Sequence, residues 1–146
     1  MKFADMTQRQ MRQALADMSK REIRAALTNL KKARRLIARK GGFVKGTFNS
    51  NYNAAKQRPE SFCTVGAIKQ ADGPGEESAK LIVGEAIRDL YYPKRKTPLD
   101  EGRIFTFNDS KKRTQEEVVA AFDKAVQIAE ARMAIAEATA QAEKGN

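Results

Sequence analysis

The stretch from Ser19 to Gly42 constrains the fold more than any other part of the chain. Ser19-Lys20-Arg21-Glu22 has the form of a capping box, a hydroxyl at the cap and a carboxylate three residues on. Behind it Ile23, Ala26, Leu27, Leu30, Ala33 and Ile37 recur at three- and four-residue spacing, which puts them on one side of a helix. Gly41-Gly42 supplies a left-handed stop. The pattern predicts an amphipathic helix ending at Arg39 or Lys40. Thr7 can cap a shorter helix running to about Met18, or the two form a single helix with a break near Ser19.

Similar punctuation divides the rest. Ser61 reads as the cap of a helix from Phe62 to about Ala71, with Phe62, Val65 and Ile68 on one side. Its Gly66-Ala67 pair leaves room for another backbone. Asp72-Gly73-Pro74-Gly75 is a turn. A helix then begins near Glu76 and carries Ala79, Ile82, Val83, Ala86, Ile87 and Leu90 before Pro93 stops it. Thr114-Gln115-Glu116-Glu117 is a second capping box and opens a long helix from Gln115 to around Ala142, with Val118, Phe122, Ala125, Ala129 and Met133 as its stripe. Beyond Arg132 the apolar content is nearly all alanine, so that part either projects, frays or pairs with another copy. Residues 43–59 and 93–102 read as loops. Ile104-Phe105-Thr106-Phe107 reads as a short strand or as an extended segment pinned into the core.

The expected fold is mostly α: one compact helical domain over 1–146, with a possible β hairpin around Ile104–Phe107. It comprises basic N-terminal helices (7–40), a core (61–130) and an Ala-rich helical tail (131–146). The long last helix packs on the basic one, with the Phe62–Ala71 helix between them.

Charge is unevenly placed. The formal net charge is +10. Residues 1–47 hold thirteen Lys/Arg against three Asp/Glu, and the remainder of the chain balances to zero. Such segregation reads either as a footprint for an anionic partner or as a solvated helix face. The candidate anion-binding residues are Arg24, Lys31, Lys32, Arg34, Arg35, Arg39 and Lys40. Arg offers forked donors to phosphate and Lys a point charge. No helix-turn-helix or RNA-recognition signature accompanies them, so phosphate-directed contact rather than base readout is expected. Phe43, Phe48 and Tyr52 lie among basic residues and are candidate stacking faces; Phe43 and Phe48 are equally candidates for loop anchors.

The absence of histidine excludes Ser-His-Asp and Cys-His nucleophile activation, and the single cysteine cannot build an all-cysteine zinc site. Cys63 reads as a small buried residue rather than a nucleophile. Asn108-Asp109 reads as a structural pair opening the turn into the last helix, because one carboxylate beside one amide is thin for Mg²⁺ or Ca²⁺. No cofactor, metal or enzymatic activity is expected. The N-terminus shows no secretory h-region and no apolar run nears the ~20 residues of a membrane helix. With one cysteine, a cytoplasmic setting is expected.

Several segments together resemble a known pattern. They are Gly42-Phe43-Val44-Lys45-Gly46, then Ser61-Phe62-Cys63-Thr64-Val65-Gly66-Ala67-Ile68, then Phe107-Asn108-Asp109, and Arg113-Thr114-Gln115-Glu116-Glu117 entering an Ala-rich helix. This order resembles an uncharacterised family of small bacteriophage and actinobacterial proteins with a Phe-Cys-x-x-Gly-Ala-Ile segment and a later Trp- or Phe-Asn-Asp motif. The resemblance covers roughly residues 23–130 and brings no established activity. It implies a phage accessory protein, with counter-defence as a fitting role. The expected function is therefore non-enzymatic binding of nucleic acid, a nucleotide or an acidic host protein inside the host cell. A nucleotide-sequestering oligomer, and a structural protein oligomerising through its last helix, are the other expectations.

Overall fold

A computed structural model describes residues 1–145. After a short 3₁₀ turn at Phe3–Asp5, α1 (Gln8–Ala16) and α2 (Lys20–Ala38) form as separate helices. Each has a complete capping box: Gln10 N–H donates to Thr7 Oγ1 at 3.1 Å, and Glu22 N–H to Ser19 Oγ at 3.1 Å. Gly41 takes the left-handed conformation, φ 70°, just beyond α2. A hairpin of β1 (Asn49–Asn53) and β2 (Arg58–Phe62) follows, then α3 (Thr64–Ala71), α4 (Glu76–Tyr91), α5 (Glu101–Asp109) and α6 (Gln115–Lys144).

α2 is the hub. Ile23, Ala26, Leu30, Ala33 and Ile37 of the expected stripe are buried, joined by Leu36, while Leu27 is half-buried. α6 packs along α2 and α4, and α3 packs on α2, α4 and α5. The expected placing of α3 between α2 and α6 is thus corrected. Fully buried alanines on both helices (Ala26 and Ala33; Ala121, Ala125 and Ala129) leave room for α2 and α6 to pack directly. Their polar ties are an Arg34–Asp123 ion pair and the Gln115 amide, whose Nε2 donates to Ile37 O at 2.6 Å and Arg39 O at 2.7 Å. Gln115 thereby donates to Ile37 O at the end of α2 and shares Arg39 O with the Gly42 N–H, which lies 2.9 Å from it.

Two segments depart from expectation. The hairpin lies at 49–62, across what reads as a loop to residue 59 and as the cap and start of a helix at Ser61 and Phe62, and pairs antiparallel with Ser50 opposite Ser61 and Tyr52 opposite Pro59. Its anchor is tertiary. Phe62 N–H donates to Gly42 O at 2.8 Å, Val44 N–H to Phe62 O at 3.1 Å and Cys63 N–H to Phe48 O at 3.0 Å. Ile104–Phe107 is not a strand but the middle of α5. Asp100 caps that helix through Arg103 N–H at 2.8 Å, and Ile104, Phe107 and Asn108 face inward. Propensity disfavours helix here by on the order of 0.5 kcal/mol per residue. Full burial of Ile104 and Phe107, at about 2 kcal/mol each, outweighs it. α3 starts two residues later than expected: Cys63, not Ser61, is its cap. Among the described residues no helix is long and apolar enough to cross a membrane.

Candidate functional site

The cations of α2 divide by geometry. The buried residues occupy one side of the helix, so Arg24, Lys31 and Arg35, at seven- and four-residue spacing, lie on the opposite side with Arg21 and Lys32 beside them. These five are exposed, and among the described residues none makes an ion pair or side-chain hydrogen bond; Lys40 is likewise exposed and unpaired. Arg34 and Arg39 are different. Arg34 is held by Asp123 of α6, and Arg39 Nη1 lies 3.6 Å from Glu60 of β2. They belong to the packing between elements rather than to the free stripe. Arg21 was not among the expected anion ligands, although its three-residue offset from Arg24 extends the same line.

The stripe from Arg21 to Arg35 spans about 21 Å at 1.5 Å per residue. Among the described residues the exposed large apolar side chains are Met1, Phe48, Tyr52, Leu90, Tyr92 and Ile135, none of them on α2.

The aromatic candidates also separate. Phe43 is half-buried, packs against the core and bridges in parallel to Phe62. Phe48 is 42% exposed, but its ring meets the edge of Phe105 (centroids 5.5 Å apart) and carries Lys69 Nζ 4.5 Å over its face. Only Tyr52, 66% exposed on β1, presents an unengaged ring.

A second feature unites residues far apart in sequence. Asn108 is fully buried; its Oδ1 accepts from Thr64 N–H at 2.9 Å and from Thr64 Oγ1 at 2.7 Å, and its Nδ2 donates to Val44 O at 3.2 Å. Asp109 Oδ1 accepts from Gly46 N–H at 2.9 Å. The pair therefore closes α5 and pins α3 and the 44–46 loop; it does not open the turn into the last helix. Arg113 completes the knot. Its guanidinium lies 3.8 Å over the Phe107 ring, donates to Phe107 O at 2.8 Å and binds Glu117 Oε2 at 2.9 Å. The segments that carry the resemblance are thus one interlocked structural unit. Residues 21–128, which include that unit, match a family of unknown function, DUF6197.

The chain belongs to DUF6197.

The DUF6197 match spans about three quarters of the chain and agrees within two residues at each end with the stretch 23–130. No curated protein and no solved structure matches the chain. Within the DUF6197 region, Gly46, Thr47, Phe48, Cys63, Phe105 and Asp109 line a cleft of about 390 Å³. Cys63 is its only thiol, and Sγ accepts from Gly66 N–H at 3.2 Å as the cap of α3. Burial pushes that thiol above its ordinary value against the lowering pull of the Gly66 N–H, and the Asp109 carboxylate adds to the rise. A thiol so placed stays protonated at neutral pH, where only the thiolate is nucleophilic. Among the described residues no three His, Cys, Asp or Glu side chains gather in a metal-binding arrangement.

Proposed function

We propose that the protein is a non-enzymatic accessory protein that binds nucleic acid through its phosphates, along the outward stripe of α2. The observation that carries this reading is the set of five exposed, unpaired cations, Arg21, Arg24, Lys31, Lys32 and Arg35, on the side of α2 opposite its buried face. A linear array of cations suits a linear polyanion, which carries about one charge per 1.7 Å of duplex axis. An acidic protein surface is less favoured. Protein interfaces centre on buried aromatic or aliphatic anchors, and the stripe has no large apolar side chain exposed along it. The phage setting, a counter-defence role and action in the host cytoplasm are supported by the resemblance to small bacteriophage and actinobacterial proteins.

The test is fluorescence anisotropy with labelled duplex and single-stranded oligonucleotides over a salt series. Binding at low salt with log K falling linearly against log salt is expected, from counterion release. Absence of binding at low salt, or a flat salt dependence, would overturn the reading.

A second reading, oligomerisation that assembles a nucleotide-sequestering or structural protein, is favoured by the end of α6. Its last buried residue is Ala129, and Ile135 beyond it is 66% exposed. Light scattering on the full chain and on a chain ending at Arg132 separates the two, since unchanged mass counts against this helix as an interface.

A further inference from the structure

The N-terminal part of the stripe is not flat. Arg21, Arg24 and Lys32 form one wall of a groove of about 610 Å³, and the Asp72–Gly75 turn between α3 and α4 forms the other. The turn sits directly on α2: a Cβ at Gly75 would lie 2.2 Å from Ala25 O, so only glycine permits this approach. Asn29, 2% exposed, also lines the groove. Its Nδ2 donates to Ile68 O at 3.1 Å and Asp72 O at 3.3 Å, which fixes the amide's orientation and leaves Oδ1 without a donor. A buried carbonyl oxygen normally has a partner. α4 begins at the same place, and Gly75 at its cap has no side chain for the first-turn amides. The carboxylates of that turn, Glu76 and Glu77, are met by Lys80 at 3.7 and 3.2 Å. Asp72 is the one acidic side chain lining the groove against three cations.

We propose that this groove binds a phosphate monoester or pyrophosphate group, as a nucleotide or a phosphorylated strand end presents. Arg21, Arg24 and Lys32 line a cleft, so this end of the stripe also accommodates a compact, multiply charged anion such as a terminal phosphate. Arg21 and Arg24 supply forked donors, Lys32 adds a point charge, and the uncapped start of α4 favours negative charge nearby. The groove's volume falls within the range of small-molecule sites. The proposal rests on the phosphate-directed reading of α2 for its choice among anions.

The experiment is calorimetric titration and thermal melting of the full chain with pyrophosphate, with ADP, and with an oligonucleotide bearing either a 5′-phosphate or a 5′-hydroxyl. Saturable binding of pyrophosphate and ADP with a raised melting temperature is expected. The variant Arg24→Gln/Lys32→Gln should weaken both by about tenfold or more, the scale of a lost charged hydrogen bond. Lys112→Gln, which removes an exposed charge elsewhere, should leave them unchanged. Preference for the 5′-phosphorylated strand over ADP identifies a strand end as the source; the reverse identifies a free nucleotide. No binding of pyrophosphate or ADP, or equal loss in the Lys112→Gln variant, overturns the groove site. Neither result touches oligonucleotide binding by the rest of the stripe, which the salt series decides separately.

Discussion

Asn108 holds Thr64 twice, accepting from its backbone N–H at 2.9 Å and its hydroxyl at 2.7 Å through the same Oδ1. The start of α3 and the end of α5, 44 residues apart, are thereby fixed to one buried amide. Asn108→Ala would leave the Thr64 N–H, the Thr64 hydroxyl and Val44 O without this partner. A loss of about 3 kcal/mol is expected, seen as a fall in melting temperature on the order of 10 °C. Thr64→Val removes only the hydroxyl and should cost about 1 kcal/mol. Equal, small effects of both would show that the network contributes little.

Gly66 lies where α3 meets the 43–48 segment. A Cβ there would stand 1.8 Å from Phe48 O. Gly66→Ala must push the Phe48 backbone, and with it the Cys63 N–H bond to Phe48 O, out of place. Overpacking of this kind costs about 3 kcal/mol or more. Thermal or urea unfolding measures it, and a variant as stable as the parent would show that the loop yields freely.

Cys63 gives a pH dependence of known sign. Its folded thiol titrates above its ordinary value because it is buried. As pH rises past the unfolded value of about 8.5, the unfolded chain releases a proton that the folded chain keeps, so stability falls. Cys63→Ser retains an acceptor for the Gly66 N–H and removes the titration. The melting temperature of the parent should fall more steeply than that of Cys63→Ser between about pH 8 and pH 10. The native thiol should also resist a disulfide reagent at pH 7.5 and react on unfolding.

Along α2, single neutral substitutions should act alike and additively. Arg35→Gln, or Lys31→Gln, is expected to lower the slope of log K against log salt by about one and to weaken binding evenly across sequences. Arg34→Gln should behave differently. It breaks the Asp123 pair, so the larger part of its effect should appear in stability rather than in the slope. Identical slopes for Arg34→Gln and Arg35→Gln would contradict this division.

Ending the chain at Arg132 removes no fully buried residue; it removes Met133, half-buried against the core, and the exposed Lys20–Glu137 pair. Pairs of that kind contribute about 0–1 kcal/mol. The melting temperature should drop by only a few degrees. A collapse of stability would mean that the tail is covered by another copy.

α1, α2, α4 and α6 were legible from local signals: capping residues at Thr7, Ser19 and Thr114, apolar stripes on α2, α4 and α6, and stops at Gly41 and Pro93. The hairpin was not. Asn49-Ser50-Asn51-Tyr52-Asn53 has neither alternation nor β-branched residues, and its extended form is imposed by bonds from Phe62 and Cys63 to Gly42 and Phe48. In α5 the β-prone Ile-Phe-Thr-Phe run hid a helical clue, the three- and four-residue spacing of Ile104, Phe107 and Asn108. At the candidate site the basic helix itself was readable, but which cations are free was not. Asp123 and Glu60, which engage Arg34 and Arg39, are distant in sequence and arrive only through folding. Arg21 was readable from spacing and was missed.

α2 presents its apolar residues to the core and its unpaired cations to solvent, with little overlap between the two sets. Folding and the proposed recognition are therefore written on opposite sides of one rod. The outer lettering can be changed, reversed in sign or redirected to a different ligand while the inner lettering still specifies the same body. That separation makes the helix a ready mount for a new binding face.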